Sequence, residues 1–449
     1  VIENRLQKTA VIGAAGKMGS GIALLLLQLI AKRTLKTSDD DALVLIDTSR
    51  EGLKGLKDYL HTQLKKYAEK EIIQLRELCK EDKMLVSNGE IIEAFLQKAF
   101  DTCTFSTRLE DCEGAHLIFE AIVEDEAIKG TVLKKAQQFA DKNCFFLTNT
   151  SSIPISVINK NAGLNGNVIG YHFYNPPAVQ KLLEIIPLDD GNPELLALAE
   201  TLGAMLKKTT VLSKDRAGFI GNGHFVPEII EACRQVENLK ETYSLEEAIY
   251  IIDWISKYYL LRPMGIFQLV DYVGIDVVGK IAAVMQRYHP NKDFSAPLIE
   301  RLLKKGVTGG QNADGTQKNG FFSYRKNQPA ALINVETGEY DPLENCDDLK
   351  QKLSLTPPKE LSWKTLLHDP DKEDKIETHF SKLQQEDTLG AALAKHFLQH
   401  SKKIALQLVE DGVCAQLSDV STVLKLGFYH LYGPDSRFIE QSETAGKSQ

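Results

Sequence analysis

A histidine closes an apolar run and is followed at once by Asn-Pro-Pro, in Val168-Ile169-Gly170-Tyr171-His172-Phe173-Tyr174-Asn175-Pro176-Pro177. A carboxylate stands inside the next apolar run, Leu182-Leu183-Glu184-Ile185-Ile186-Pro187. Both runs are short and hold β-branched residues, as buried strands do. His172 then lies where one strand runs out and Glu184 within its neighbour, so the two side chains are expected to meet. A neutral imidazole held by a carboxylate is a general base, because the carboxylate fixes the tautomer and stabilises the imidazolium formed on proton uptake. A lone histidine beside a strand more often caps or packs. What lifts His172 above that reading is a glycine loop and a polar cluster that precede it.

The glycine loop follows the apolar stretch Thr9-Ala10-Val11-Ile12 and reads Gly13-Ala14-Ala15-Gly16-Lys17-Met18-Gly19, running on into the apolar segment Ile22 to Lys32. Strand, glycine turn and apolar helix is the order of a dinucleotide-binding unit. The turn needs residues without a Cβ, the backbone must approach a pyrophosphate, and the helix N-terminus presents amides to it. Leu43-Val44-Leu45-Ile46-Asp47 is a second strand ending in a carboxylate. Asp47 is placed to accept ribose hydroxyls and to repel a 2′-phosphate, which favours NAD over NADP, although Arg50 nearby is of a type that tolerates the phosphate. Further strands, His116–Phe119 and Cys144–Leu147, run into Glu120 to Asp125 and into Thr148-Asn149-Thr150-Ser151-Ser152. On open parallel sheets ligands collect at the carboxyl ends of strands, so these polar runs are candidate walls of a site.

Composition agrees with an enzyme and narrows its class. The chain has 449 residues, 43% apolar and 25% charged, enough for two or three domains. A net charge of -8 gives no basic footprint for nucleic acid and requires anionic ligands to be met by local groups. The seven cysteines are odd in number and form no C-x-x-C pair, so reduced thiols in a cytoplasmic protein are expected, with no zinc site among them. The start, Val-Ile-Glu-Asn-Arg, has neither a basic stretch nor an apolar core, so no signal peptide is expected, and the missing initiator Met leaves room for native residues ahead of it. The longest apolar run, Ile22 to Ile30, is too short to span a bilayer.

With these residues in hand, the chain resembles the NAD-dependent L-3-hydroxyacyl-CoA dehydrogenases of fatty-acid β-oxidation. The matching pieces occur in order: the glycine loop, Phe119 to Glu124, Asn149-Thr150-Ser151-Ser152, His172-Phe173-Tyr174-Asn175-Pro176, Lys181 to Glu184, Lys214 to Asn222, and Pro263 to Gly274. The resemblance implies that His172 is the catalytic base, Glu184 its orienting carboxylate, and Ser151 and Asn222 the polar contacts to substrate. It implies cofactor contacts from Gly13, Gly16, Gly19, Asp47, Glu124, Lys129, Ser151 and Asn175, and no metal. An acyl-CoA thioester is the implied substrate, with a homo-oligomer or association with other β-oxidation enzymes as expected partnerships. A helical hairpin grips the CoA in this family. Here residues 50–100 carry Leu53, Leu56, Leu60, Leu64 and Tyr67 as an apolar stripe beside the basic Lys54, Lys57, His61 and Lys65, and Lys70 is the phosphate candidate by position. Two other functions stay open: a dehydrogenase of a small non-CoA hydroxy acid, and an idle NAD-binding structural protein.

The chain departs from the family pattern in three places. Its glycine loop is one residue longer than G-x-G-x-x-G, Gly223 follows Asn222 where arginine is common, and 305–325 (with Gly309 to Gly315) reads as an insertion. The expected architecture is an α/β Rossmann-like domain with a parallel sheet and inserted helical hairpin over 1–213, then an all-α region. The latter divides into a helical domain at 214–330 and, at 331–449, a linker with a second, degenerate helical repeat. That linker, 330–374, holds Pro342, Pro357, Pro358 and Pro370 and reads as irregular. The repeat rests on Lys403 to Tyr432, whose helix, Ser418-capped helix and Gly433-Pro434 echo Ile229 to Gly265.

Overall fold

Lys8–Ile12 forms β1, and the chain leaves it through the glycine turn into the helix Lys17–Lys36. The computed structural model describes residues 2–36, 41–312, 315–346, 349 and 361–439. By length and composition Lys17–Lys36 could cross a bilayer, but here it is a core helix, with Ile22, Leu24 to Leu27 and Ile30 buried. The chain divides after Asp215 into two compact units.

The first unit is built on an eight-stranded sheet in the order β3-β2-β1-β4-β5-β6-β7-β8. Its strands after β1 are β2 (Ala42–Ile46), β3 (Cys103–Ser106), β4 (Leu117–Glu120), β5 (Phe145–Thr148), β6 (Val168–Phe173), β7 (Leu182–Ile186) and β8 (Thr209–Leu212). β1 to β6 pair in parallel, β6 meets β7 antiparallel, and β7 runs parallel to β8. Because β2 and β4 flank β1, the chain order reverses at β1, where such sheets open a ligand crevice. The Rossmann-like expectation holds. Two strands were not anticipated: β3, whose Cys-Thr-Phe-Ser has no apolar run, and β8, an edge strand whose side chains are mostly exposed. The excursion between β2 and β3 is helical, as Arg50–Lys70, Ile72–Leu78 and Asn88–Asp101. Leu53, Leu56, Leu60 and Leu64 are buried, as the stripe predicts, and Tyr67 is partly so.

The second unit is helical, with Gly221–Leu239, Leu245–Trp254, Ile266–Val273, Ile275–Tyr288 and Pro297–Lys304, then Lys372–Gln385, Leu389–Glu410 and Leu417–Gly427. It also holds a small antiparallel sheet, β9 (Phe322–Arg325), β10 (Gln328–Ile333) and β11 (Tyr340–Pro342). This corrects both the all-α expectation and the irregular linker, since β10 and β11 occupy its beginning; Pro357 and Pro358 lie outside the described residues. The hairpin turns through Lys326 and Asn327, both at positive φ (51° and 59°), as a tight hairpin turn needs, but Lys-Asn is not the usual Asn-Gly signal. The segment read as an insertion, in which Ala313 and Asp314 lie outside the described residues, leads to Gly320. A Cβ on Gly320 would fall 2.0 Å from Asp271 Oδ1, and the Phe321 and Phe322 amides donate to that carboxylate. The helix Leu417–Gly427 is capped by Gln416 with Asp419 as a capping box, so Ser418 lies inside its first turn and is not its cap.

Candidate active site

Glu184 is buried, and in the antiparallel β6–β7 ladder it is the register partner of His172. Opposed residues on neighbouring strands send their side chains to the same face, and His172 Nδ1 lies 2.8 Å from Glu184 Oε2. The carboxylate keeps the imidazole proton on Nδ1, so Nε2 is the basic nitrogen. Tyr174, which sequence reasoning passed over, donates its hydroxyl to the same Glu184 oxygen at 3.3 Å. Burial, then the Glu184 charge, push the Tyr174 phenol well above its ordinary range, so it remains a donor.

Polar residues at the ends of β4 and β5 form a second cluster, joined to the end of β6 through Asn149. Asn149 Oδ1 accepts the Phe173 amide at 2.9 Å, tying the end of β6 to the end of β5. Glu124 Oε1 accepts from Thr150 Oγ1 (2.7 Å), from the Ser151 and Ser152 amides (both 2.9 Å) and from the Ser151 and Ser152 hydroxyls (3.2 and 3.0 Å). Burial by itself would raise the Glu124 carboxyl, but Lys129 and these donors outweigh it and hold it below the usual range. Glu124 is thus a wall of the site that fixes the Ser151 loop. Ser151 is partly buried at the β5 end, beside β6.

Lys129, expected as a cofactor contact, is buried beside two carboxylates. It is 1% exposed, its ammonium 2.7 Å from Glu120 Oε1 and 3.4 Å from Glu124 Oε2. Glu120 in turn accepts from Thr148 Oγ1 (2.5 Å) and the Ile122 amide (2.7 Å). The lysine therefore stands behind the wall as the counter-charge of two carboxylates. In the sequence Glu120 is one member of a polar run, and the signal for its pairing is a lysine nine residues on, on the inner face of a helix.

The glycine loop fits a dinucleotide. Gly13 has φ +83°, and a Cβ there would lie 2.6 Å from Ala121 O; a Cβ on Gly19 would lie 2.0 Å from Gly13 O. Gly16 donates its amide to Gly13 O at 3.2 Å and accepts that of Ser20, which starts the helix. Asp47, at the end of β2, accepts the Ala15 amide on Oδ2 (3.0 Å) and the Ser49 amide on Oδ1 (3.1 Å), so it also braces the lengthened loop. Arg50 is exposed at the start of its helix. The turn after His172 packs on the same helix: a Cβ on Gly21 would meet Pro177 Cδ at 2.8 Å. That contact sets the turn after His172 against the helix that follows the glycine loop. Asn175 is partly buried in this turn, ahead of a cis Pro176. Lys208, also unanticipated, donates to Pro177 O (2.5 Å) and Gln180 O (2.6 Å), and burial pushes its pKa down to about 8.

The remaining candidates lie farther along the chain. Lys70 is exposed at the last turn of Arg50–Lys70, with Lys65 and Lys66 also exposed. Asn222 is in the second unit, in the first turn of Gly221–Leu239. Gly223 after it has a packing reason, for a Cβ there would lie 2.9 Å from Leu408 Cδ2.

The profile of the 3-hydroxyacyl-CoA dehydrogenase NAD binding domain matches residues 8–216, and that of the 3-hydroxyacyl-CoA dehydrogenase C-terminal domain matches 218–319. A probable 3-hydroxyacyl-CoA dehydrogenase of Caenorhabditis elegans is 30% identical over 325 residues, covering 72% of this chain and 97% of its own length. The chain belongs to the 3-hydroxyacyl-CoA dehydrogenase family. Among solved structures, Mycobacterium tuberculosis FadB2 is 27% identical with a TM-score of 0.55, covering 71% of this chain and 99% of its own. The 3-hydroxybutyryl-CoA dehydrogenase of Escherichia coli, 22% identical, shares the fold over 96% of this chain and 90% of its own with a TM-score of 0.64. As in this family, NAD is the cofactor.

Asp47 gives a direct test of the cradle. The unmutated enzyme is expected to prefer NADH to NADPH, since a carboxylate at the ribose repels a dianionic phosphate. Asp47→Ala narrows the preference and, by releasing the Ala15 and Ser49 amides, also weakens NADH. The ratio of kcat/KM for the two cofactors measures this; equal efficiency in the unmutated enzyme would assign the pocket to Arg50.

Proposed function

We propose that the enzyme oxidises L-3-hydroxyacyl-CoA to 3-oxoacyl-CoA with His172 as general base and Glu184 as its orienting carboxylate. The observation that carries this is the 2.8 Å His172–Glu184 contact beside the glycine cradle. NAD, when bound, supplies the hydride acceptor. Loss of hydride from C3 yields a carbonyl only if the hydroxyl proton leaves too, and His172 Nε2 is the atom that takes it. Glu184 stabilises the imidazolium, and the Tyr174 hydroxyl holds that carboxylate in place. In reduction of the 3-oxo compound His172 is the acid. Ser151, its loop held by Glu124, orients the substrate oxygen. Asn222 keeps the substrate-contact role that the family resemblance implies. Turnover of acetoacetyl-CoA and longer 3-oxoacyl-CoA thioesters against NADH tests the proposal. Binding of NADH with no turnover of any thioester would overturn it.

The CoA grip is proposed for the exposed end of Arg50–Lys70. The substrate carries several negative charges and the protein a net -8, so encounter needs local cations, which Lys65, Lys66 and Lys70 supply. Lys70→Glu is expected to raise KM for acyl-CoA and spare that for NADH. The defect should be smaller for a pantetheine thioester lacking the nucleotide phosphates, and salt should reproduce part of it in the unmutated enzyme. Equal losses with both thioesters would remove Lys70 from CoA recognition.

A further inference from the structure

Within the second unit, Leu389–Glu410 packs along Gly221–Leu239: Leu408 lies over Gly223, and His224 Nε2 lies 2.9 Å from Ser401 Oγ. A charged cluster lies on the same seam. Glu231, 8% exposed, faces His396 and His400, which stand four residues apart and so share one face of their helix. His396 Nε2 is 2.7 Å from Glu231 Oε1, and His400 Nδ1 is 3.9 Å from Oε2 of the same carboxylate. One donor atom from each of the three residues falls within 4.8 Å of the others. The two imidazoles are nearly parallel, their centroids 6.1 Å apart. The floor is closed while the mouth is open, since His400 is 20% and His396 43% exposed.

We infer that Glu231, His396 and His400 form a binding site for a divalent transition-metal cation of the zinc type, which clamps these two helices together. Two imidazoles four apart on a helix plus one carboxylate are a ligand set that Zn²⁺ takes, with a fourth position left for water. The set is too rich in nitrogen for Ca²⁺ or Mg²⁺, which demand oxygen cages. Ligands about 2.0–2.2 Å from a tetrahedral ion lie roughly 3.3 Å from one another. With one carboxylate oxygen as ligand, the 2.7 Å His396 Nε2–Glu231 Oε1 contact must open slightly and His400 Nδ1 must swing toward that same oxygen, each within the reach of side-chain torsions. Gln235 Nε2, 2.7 Å from Glu231 Oε1, holds the carboxylate from outside, as the partners of metal ligands do. Gln235 Nε2 also lies 3.1 Å from His396 Nε2 and must give up that contact when the ion binds. Arg234 opposes the ion, its guanidinium 3.7 Å from Glu231 Oε2, but it also reaches Asp293 at 3.6 Å and has that carboxylate to rest on.

The experiment uses the whole 449-residue chain, stripped with chelator and titrated with Zn²⁺ by calorimetry and with Co²⁺ by absorption spectroscopy. The expected result is one saturable equivalent, a raised thermal midpoint, and a Co²⁺ spectrum of nitrogen and oxygen ligation without a thiolate charge-transfer band. His396→Gln, chosen because the side chain is half-open to solvent, and His396→Gln/His400→Gln should weaken binding by about tenfold or more and abolish the thermal shift. No saturable binding, unchanged affinity in the double variant, or a thiolate band would overturn the site and leave a hydrogen-bonded histidine–carboxylate cluster. The single variant decides the matter if the double one does not fold.

Discussion

His172→Ala is expected to lower turnover by about 10²-fold or more while NADH binding stays nearly unchanged. General acid–base catalysis contributes about 10²–10⁴ to such reactions, and the substitution removes the nitrogen proposed to accept the proton. It leaves the nucleotide cradle intact, because the cradle's close contacts run from Gly13 to Ala121 and from Gly19 to Gly13, none through the imidazole. The loss should therefore fall on kcat in single-turnover and steady-state assays, with NADH affinity measured by fluorescence as the control. Glu184→Gln keeps an acceptor for Nδ1 but withdraws the charge that stabilises the imidazolium, so activity should fall and the pH profile shift. Wild-type rates in His172→Ala would remove this residue from the mechanism.

The largest expected effect on stability is at Lys129. Lys129→Met removes the ammonium that stands 2.7 Å from Glu120 and 3.4 Å from Glu124, the first buried and the second partly so. Breaking such a pair from one side costs about 3–5 kcal/mol, because a charge is left buried without compensation. Chemical denaturation should show that loss, and Glu120→Gln/Lys129→Met should recover part of it. Loss within about 0.5 kcal/mol, the range of an exposed surface change, would show that the carboxylates are satisfied by their hydroxyl and amide donors alone. In the unmutated protein Glu124 has a carboxyl held below its ordinary range. Its ionised form thus stabilises the fold at and above that range, and the contribution is lost as pH falls through its folded value.

What the sequence shows and what it hides follow from distance along the chain. The His172–Glu184 pair is legible because both residues sit in short apolar runs a dozen residues apart, and two adjacent strands leave few registers in which they miss. Gly13 to Gly19 and Asp47 are legible because each function is tied to a local turn or strand end. The Lys129–Glu120 ion pair was not legible because Glu120 lies across a loop and only the folded sheet shows which way the ammonium points. Lys208 and Tyr174 act through contacts to carbonyls or a carboxylate that no spacing rule encodes. β3 and β8 escaped because edge strands bury little, so their residues need not be apolar. The β9–β10 hairpin escaped because two residues at positive φ are normally announced by glycine or asparagine, and here lysine takes the first place.

Asp215 carries a consequence for anyone dividing the molecule. Its carboxylate receives the amides of Ile155 (2.5 Å) and Ser156 (2.9 Å), at the head of the helix Ile155–Ala162 whose own leading residue, Pro154, offers no side-chain acceptor. That helix begins four residues after Ser151, so the head that Asp215 satisfies is also the far anchor of the serine loop. A first unit excised at 213, where the sequence invites the cut, would carry the glycine loop, Asp47, His172 and Glu184 yet lack the acceptor for those two amides. The excised piece would then be frayed at the serine loop and could be mistaken for a unit that needs its neighbour to work. Two more residues, Lys214 and Asp215, separate a fair dissection from a misleading one.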